Sequence, residues 1–395
     1  MNDGGYTLWV GGGIVRSTFG SSKNEISAAG CKWQYGLISG TQLAGENIHA
    51  LTHFPNLPWP KGPFISRALP GSINEGIKTT VAPFINIPKL RLRTIRRAYS
   101  VGLDKILSEH GLPKAAVFYN IWFHTDDVFN RLKRELKIPC IVIAADYPDR
   151  TRYGYLFENA LKRSDGGVYL SWQRFDQSQK KYKLHLDGGI TKIRTLQTKD
   201  RTETARNIGK PVILTYSGSY HKYCGIDRLI QFFKSIEDPH LRLHLTGKCD
   251  NERLLKLFRS DPRIHFFGFV TEKMLAKLQS ETFAFVNFYL PDDGSTSGKF
   301  PSKILEYMSF GKPVLSTETA GVAPEYNKFV SFFDANNPSS FQSALHNLRT
   351  LAPEKNADQQ QKVFKFLKIN KAWSIQGRRL QKFIDNVIIS GKQNK

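Results

Sequence analysis

Short apolar runs alternate with amphipathic stretches along most of this chain, and this alternation limits its fold more than any other feature. In the first half, residues 115–119 and 139–145 are predicted as buried strands, and residues 126–136 as a helix between them. A further helix is predicted over residues 156–162 and a further strand over residues 167–171. Strands that alternate with helices favour a parallel sheet covered by helices.

The second half repeats the same alternation without repeating the sequence of the first half. Predicted strands cover residues 212–216, 241–246, 264–267, 283–288 and 314–316, and predicted helices cover residues 228–235 and 273–279. A chain of 395 residues is long enough for two cores. We therefore expect two doubly wound α/β domains, joined in the polar stretch 199–211.

One stretch lacks this periodicity. Residues 52–88 contain seven prolines, so we expect a long loop there. The run that follows, residues 89–97, has five basic residues in nine, and its basic and apolar side chains can occupy two faces of one helix. Either this helix is an ordinary solvated surface element, or it contacts an anionic membrane or lipid phosphate.

The formal net charge of +23 is shared by both halves of the chain. A positive field attracts phosphates, nucleic acid or an anionic membrane, and the charge alone does not choose among them. The longest apolar runs are too short to cross a bilayer, and the N-terminus lacks the pattern of a signal peptide. The four scattered cysteines have no metal-site spacing, and reduced thiols in the cytoplasm are expected.

The segment PSKILEYMSFGKPV, residues 301–314, places a carboxylate among apolar neighbours at the start of a predicted helix. It follows a strand and a polar loop, and ligands of open α/β sheets bind where strands end. A helix N-terminus attracts phosphate, and Lys303 would oppose the helix dipole unless an anion lies nearby. Glu306, one turn further, can accept two hydrogen bonds from a ribose diol; the alternative is an ordinary carboxylate on the helix surface.

The same segment resembles the donor-binding region of family 4 glycosyltransferases, whose GT-B fold consists of two Rossmann-like domains facing across a cleft. The stretch YSGSYHKYCGID, residues 216–227, resembles the glycine turn that opens the C-terminal domain of this family. Weaker matches occur at residues 187–190, 245–247, 267–270 and 372–374. The resemblance implies an N-terminal acceptor domain over residues 1–205, a nucleotide-sugar domain over 206–370, and a final helix within 371–395 that returns to the N-terminal domain.

The resemblance also implies roles for individual residues. A nucleotide-sugar is the expected donor, used with retention of configuration and without a metal or other cofactor. Glu306 is expected to hold the ribose, and Lys303 and Lys222 to contact the diphosphate as catalytic cations. The other expected donor contacts are the turns and strand ends at Gly218, Ser219, Gly247, Phe267 and Phe269, and the loop and helix start at Gly298 and Ser302.

Three positions depart from the family pattern. Gly298 stands where members often have a first glutamate, and Asp292 or Asp293 is a possible replacement. Ser219 and Cys224 stand where the glycine turn often has arginine and lysine. We expect these changes to affect the identity of the sugar more than that of the nucleotide. A related subset with the Pro-x-Lys-x-x-Glu-Tyr form also lacks the first glutamate, so we do not interpret the change as loss of activity. Two of the expected donor residues also have a simpler interpretation. Lys222 is then a solvated lysine of a turn, and Gly218 is a glycine needed only for the turn. Asp292 and Asp293 are a weak candidate for a metal site.

Two features of the first domain are candidate contacts. Gly12 and Gly13 follow a predicted first strand at residues 8–10, where glycines let an acceptor phosphate or donor sugar approach; a flexible loop is the alternative. His124 follows the strand at 115–119, and in the resembled family a histidine of this region often contacts the donor sugar. A lone histidine is more often structural.

We therefore expect a retaining hexosyltransferase of the GT-B type at the cytoplasmic face of a membrane, acting on a glycan or lipid-linked acceptor in cell-surface glycan biosynthesis. The first alternative is a basic nucleic-acid-binding α/β protein, although no nucleic-acid motif is present and nucleic acid is an unlikely partner. The second alternative is a glycosyltransferase-like protein that binds sugars without turnover.

Overall fold

A computed structural model describes residues 5–14, 28–68, 73, 76–146, 152–194, 211–290 and 298–393. The chain divides into two compact units. The first contains residues 1–191 and 371–395, and the second contains residues 192–370. The join predicted at 199–211 lies outside the described residues except for Pro211, which directly precedes the first strand of the second unit.

The first unit contains a seven-stranded parallel sheet in the order β4-β2-β1-β6-β7-β8-β9. Its strands are β1 Thr7–Val10, β2 Ile48–Thr52, β4 Lys78–Val81, β6 Ala115–Tyr119, β7 Cys140–Ala144, β8 Gly166–Tyr169 and β9 Lys183–His185. A separate two-stranded antiparallel sheet is formed by β3 Ile65–Ser66 and β5 Phe84–Ile85. Its helices are α1 Ala28–Leu43, α2 Arg91–His110, α3 Asp126–Asn130, α4 Arg152–Arg163, α5 Trp172–Gln177 and α12 Trp373–Gln393, and a π-helical stretch, Arg131–Glu135, continues α3.

The second unit contains a six-stranded parallel sheet in the order β12-β11-β10-β13-β14-β15. Its strands are β10 Val212–Ser217, β11 Leu241–Thr246, β12 Ile264–Phe266, β13 Ala284–Asn287, β14 Val314–Thr317 and β15 Ser331–Phe333. Its helices are α6 Ile226–Lys234, α7 Glu252–Phe258, α8 Glu272–Glu281, α9 Lys303–Met308, α10 Pro338–Thr350 and α11 Pro353–Phe366.

Each sheet buries both faces, as parallel sheets do. In the first unit, Leu8 and Val10 join one apolar cluster and Trp9 joins the other. The predicted strands and helices are confirmed within one to four residues at each end. The two Rossmann-like sheets confirm the predicted α/β fold class.

The prediction of a long loop over residues 52–88 is wrong. β4 lies in this stretch and forms the edge of the first sheet beside β2, and β3 and β5 also lie in it. Sequence patterns did not reveal these strands, because β3 and β5 are only two residues long. The nearby prolines also argue against a strand, although proline is tolerated at an edge strand such as β4. The basic run at 89–97 does enter a helix, since α2 begins at Arg91.

Candidate functional site

In the second unit, three neighbouring strands end in turns that bond to one another. The Gly218 amide donates to the carbonyl of Thr246 at 3.0 Å, and the Gly247 amide donates to the carbonyl of Gly268 at 2.9 Å. Gly247 has a φ of 130°, and a Cβ added there would overlap the Gly218 carbonyl. The row of turns after β10, β11 and β12 is therefore packed closely enough to require glycine at Gly247.

Lys303 lies against this row. Its ammonium donates to the Tyr216 hydroxyl at 2.9 Å and lies 4.2 Å from the centre of the Tyr216 ring. The Tyr216 hydroxyl in turn donates to the Ser219 carbonyl at 2.6 Å. A Cβ at Gly218 would overlap the Lys303 ammonium, so a glycine at this turn makes room for the cation.

Burial lowers the pKa of Lys303 from 10.5 to about 8, and nearby Glu306 partly opposes that change. The ammonium is thus a poorly hydrated cation held at a sheet edge by a cation–π contact and one neutral hydroxyl. An anion bound beside the Lys303 ammonium would compensate for the hydration that this cation loses on burial.

Helix α9 explains the carboxylate among apolar neighbours. Ile304, Leu305, Tyr307 and Met308 are buried, whereas Glu306 is exposed. The Tyr307 hydroxyl fixes the rotation of the helix, because it accepts from the Ser217 amide at 3.0 Å and donates to the Ser217 carbonyl at 3.1 Å.

The remaining predicted donor residues differ in their exposure. Ser302, at the start of α9, and Ser219 are exposed, and Gly298 is half-buried. Phe267 is half-buried, whereas the side chain of Phe269 is 88% exposed.

Lys222 lies exposed in the 3-10 turn Lys222–Cys224 before α6. The contacts described above bring together Gly218, Ser219, Gly247 and Lys303, and they do not include Lys222. Asp292 and Asp293 lie outside the described residues.

In the first unit, Gly12 and Gly13 are held after β1 by neighbouring side chains and backbone. Gln34 Nε2 donates to the Gly12 carbonyl at 2.9 Å, and the Gly13 amide donates to the His53 carbonyl at 3.2 Å. A Cβ at Gly12 would lie 2.8 Å from the His53 ring, and Gly13 has a φ of 73°. Both positions therefore need glycine for close packing or for backbone conformation.

His124 belongs to a buried cluster under this turn. Its ring centre lies 5.1 Å from that of His53 and 5.4 Å from that of Tyr99. His53 Nδ1 lies 2.9 Å from the Tyr99 hydroxyl, which donates to the Gly11 carbonyl at 3.2 Å. Among the described residues, His124 Nε2 is buried without a hydrogen-bond partner.

The two histidines of this cluster are neutral at pH 7. Burial lowers the pKa of His124 to about 4 and that of His53 well below its ordinary value, and Arg91 acts in the same direction on both. A neutral imidazole with an unused nitrogen can donate or accept a hydrogen bond, depending on its tautomer.

Sequence reasoning missed Tyr216 and Tyr307 in the second unit and His53 and Tyr99 in the first. Only His53 carried a usable signal, since it directly follows β2 at the carboxyl end of the first sheet. The two tyrosines of the second unit occupy buried positions that their apolar neighbours also share, so no pattern separates them from ordinary core.

Within the described residues, no helix is long and apolar enough to span a membrane. The same residues contain no cluster of three histidine, cysteine, aspartate or glutamate side chains with the geometry of a metal site.

Several known proteins resemble this chain. Residues 210–350 match the model of the family described as glycosyl transferases group 1. No curated protein matches the sequence. Sucrose-phosphate synthase from Thermosynechococcus elongatus has a TM-score of 0.69 at 14% identity, over 98% of this chain and all of that one.

Two further solved structures resemble it over nearly their whole length. HepE from Anabaena, solved in complex with UDP and glucose, has a TM-score of 0.62 at 10% identity, over 97% of this chain and 100% of that one. WaaG, a glycosyltransferase involved in lipopolysaccharide biosynthesis, has a TM-score of 0.58 at 14% identity, over 96% of this chain and 99% of that one. The matched residues 210–350 include Tyr216, Gly218, Lys303 and Glu306, so these residues lie in a segment similar to glycosyl transferases group 1, within a chain that has the GT-B fold.

Proposed function

We propose that this protein is a retaining glycosyltransferase that moves a sugar from a nucleotide-sugar to an acceptor hydroxyl. The observation that carries the proposal is the poorly hydrated ammonium of Lys303 beside the Gly218 turn, inside the segment that matches the family. HepE, a neighbour in fold, was solved with UDP and glucose, which supports a nucleotide donor.

The donor residues divide by the part of the ligand they meet. Lys303 and Lys222 stabilise the charge that develops on the leaving diphosphate. Gly218, Ser219 and Gly247 let the diphosphate approach the turns, and Gly298 and Ser302 meet the diphosphate and the sugar.

Two further groups bind the nucleoside. Exposed Glu306 accepts hydrogen bonds from the ribose diol, and the strand end at Phe267 and Phe269 meets the base.

The reaction needs no redox partner. The bond between the anomeric carbon and the diphosphate oxygen breaks, and the acceptor oxygen bonds to the same face of that carbon. The leaving diphosphate takes the proton of the acceptor hydroxyl. In this proposal the two lysines neutralise the leaving group, so neither a metal nor another cofactor is required.

The acceptor is a glycan or a lipid-linked glycan of cell-surface biosynthesis, bound by the first unit. We assign the acceptor to the turn after β1 at Gly12 and Gly13, and we assign a sugar hydroxyl to the His124 imidazole, whose Nε2 has no hydrogen-bond partner among the described residues. The net charge of +23 supports a cytoplasmic enzyme working at the anionic inner face of a membrane. WaaG, with the same fold, acts in lipopolysaccharide biosynthesis.

Thermal denaturation against a panel of nucleoside diphosphates and nucleotide-sugars tests the donor site. A ligand at a hundred times its Kd stabilises the protein by about 2.7 kcal/mol. We expect a selective shift that Glu306→Ala removes and that Glu281→Ala preserves. Glu281 is the matched control because it is exposed at the end of α8, before β13 rather than after it.

The two alternatives give different results in the same assay. A protein that binds nucleic acid would show no nucleotide-sugar shift and would bind duplexes with a strong salt dependence. A sugar-binding protein without turnover would show the shift but would release no nucleoside diphosphate from its donor, either to water or to acceptors. Either result contradicts the proposed activity.

A further inference from the structure

The first unit exposes an apolar surface around the small sheet of β3 and β5. Six of the large hydrophobic side chains that the described residues leave exposed fall between residues 59 and 92, and we call them the β3–β5 patch: Trp59, Phe64, Ile65, Ile85, Leu90 and Leu92. Single exposed apolar side chains are normal, whereas a group of this kind marks an interaction surface.

The antiparallel register of β3 and β5 brings two members of the patch together. Ile65 of β3 pairs directly with Ile85 of β5, and both side chains are exposed. The next pair, Ser66 with Phe84, is buried on the opposite face. Since side chains alternate between the faces of a strand, packing Phe84 inward places Ile65 and Ile85 outward together.

A buried asparagine holds the segment that carries the aromatic side chains. Asn86 Nδ2 donates to the carbonyls of Leu57 at 2.6 Å and Pro63 at 3.0 Å. The Trp59 amide donates to the Asn86 carbonyl at 2.9 Å, and the Asn86 amide donates to the Phe64 carbonyl at 2.7 Å. The Trp59 and Phe64 rings lie 6.5 Å apart, edge to face. These hydrogen bonds fix the backbone on which Trp59 and Phe64 are exposed.

Helix α2 continues the patch. The Thr94 hydroxyl donates to the Ile85 carbonyl at 2.8 Å, and the Thr94 amide donates to the carbonyl of Leu90 at 3.0 Å. These bonds bring the start of α2 against β5, beside exposed Leu90 and Leu92.

Exposed basic side chains lie in the same segment of the chain as the apolar ones. The five exposed members are Lys61, Arg67, Lys89, Arg93 and Arg97, and the described residues show no ion pair at any of them. Residues 47–103 contain eight lysines and arginines against one acidic residue. Two further arginines of α2 are already engaged, because Arg91 donates to the Asn56 carbonyl and Arg96 pairs with Asp127.

We propose that the β3–β5 patch and the five exposed cations of the same segment dock on an anionic lipid surface. A tryptophan, a phenylalanine and aliphatic side chains together with lysine and arginine match the interface of a bilayer with anionic headgroups, where the apolar residues enter and the cations stay at the phosphates. Nucleic acid offers no apolar layer for Ile65, Ile85 and Leu92. This assignment deepens the membrane location given under the proposed function and rests on it for its biological meaning.

Sedimentation with vesicles tests the proposal without any donor, so it can fail independently of the donor site. The wild-type chain is mixed with vesicles of phosphatidylcholine alone and with vesicles that contain about 30% phosphatidylglycerol. We expect binding to the anionic vesicles only. Lys89→Gln/Arg93→Gln/Arg97→Gln should weaken binding about a hundredfold, and Ile65→Ser/Ile85→Ser about tenfold.

Matched control variants test whether vesicle binding depends on this surface or on the net charge of the protein. Arg253→Gln/Lys273→Gln/Lys277→Gln removes the same number of exposed charges from α7 and α8, and Ile369→Ser/Ile389→Ser removes two other exposed isoleucines. Both should bind as the wild type does. Circular dichroism melts and the nucleotide-induced thermal shift of the second unit check that every variant is folded.

Three results would overturn the proposal. The first is a folded wild-type protein that sediments with neither vesicle. The second is an equal loss of vesicle binding in the α7 and α8 control, which would assign binding to net charge. The third is duplex DNA that displaces the protein from anionic vesicles at equal phosphate concentration and binds through Lys89, Arg93 and Arg97, which would assign the surface to nucleic acid.

Discussion

The Lys303 ammonium lies 2.9 Å from the Tyr216 hydroxyl and 4.2 Å from the centre of the same ring, so one tyrosine contacts the cation by two of its groups. The arrangement holds a charge where burial disfavours it, since the pKa of Lys303 falls to about 8. An anion bound beside Lys303 would offset this cost of burial, and the proposed function assigns that anion as the diphosphate of the donor.

The affinity for a nucleoside diphosphate should fall as pH rises above about 8. The free site loses the Lys303 proton there, whereas a bound diphosphate raises the pKa and retains it, so binding takes up a proton. The decrease approaches about tenfold per pH unit. Titration calorimetry at pH 7 and pH 9 measures it. Lys303→Arg keeps its charge and should show a much flatter profile; an equally steep profile in that variant contradicts the assignment.

Stability of the ligand-free protein gives the same site a second readout. Because the pKa of Lys303 is about 8 in the folded state and 10.5 as a free side chain, the unfolded chain binds more protons between these values. The Lys303 contribution to the free energy of unfolding therefore rises with pH in that window. Lys303→Met should stabilise the ligand-free protein at pH 7 by about 1 kcal/mol, by removing a poorly compensated cation. Urea denaturation measures this change.

Phe269→Ala should weaken nucleotide binding without affecting the fold. A side chain that is 88% exposed contributes little to stability, so the unfolding free energy should change by less than about 0.5 kcal/mol. Stacking of a base on an aromatic ring is worth about 1–3 kcal/mol, which predicts at least a fivefold weaker Kd. Tyr155→Ala, at another exposed aromatic, is the matched control. Unchanged nucleotide affinity in Phe269→Ala would remove this residue from the base site.

Acid should destabilise the first unit through its buried histidines. The pKa of His124 is about 4 in the folded protein and 6.5 for a free side chain, so between these values the unfolded chain binds more protons and stability falls as pH falls. At pH 5 the loss from this group is about 2 kcal/mol relative to pH 8. His124→Phe should lose less stability on acidification by that amount, measured by urea denaturation at both pH values.

Exposed His346 provides the control for this measurement. His346→Gln should keep the acid sensitivity of the wild type, because its side chain lies on the surface of α10. If His124→Phe and the wild type lose the same stability on acidification, then the cluster of His53, Tyr99 and His124 is protonated without destabilising the folded state.

Sequence patterns predicted the strands that are buried on both faces and failed on the short ones. β6 and β7 are continuous apolar runs, and β11 alternates leucine with polar residues, so both kinds of hydrophobic pattern located strands. β3 and β5 are two residues long and depend on Asn86, whose bonds to distant carbonyls no local pattern reveals.

The candidate site shows the same division. Glu306 stands out in the sequence as a charged side chain among apolar neighbours, and α9 leaves it exposed, which both the ribose contact and the surface carboxylate require. The contact of Lys303 with Tyr216 was not predictable, since it joins residues on different elements far apart in sequence. Only the folded sheet brings the end of β10 against the start of α9.

The buried ion pair of Asp187 and Lys371 should be essential for the first unit. Lys371 Nζ lies 2.7 Å from both Asp187 oxygens, and the two side chains are 3% and 1% exposed. The adjoining backbone is bonded as well, since the Ile190 amide donates to the Lys371 carbonyl at 2.7 Å. Lys371→Met leaves a buried carboxylate without its cation, which costs about 3–5 kcal/mol.

Replacing both partners tests whether the loss of stability in Lys371→Met comes from the uncompensated charge or from the changed packing of the side chain. Asp187→Asn/Lys371→Met removes both charges and should recover more than half of the loss, because no uncompensated ion remains. The exposed pair of Asp358 and Lys362 is the control, and Lys362→Met should change the unfolding free energy by less than about 0.5 kcal/mol. Guanidinium denaturation of all four chains measures these values. A double variant as unstable as Lys371→Met would show that the packing of the lysine stem, rather than its charge, holds this part of the unit together.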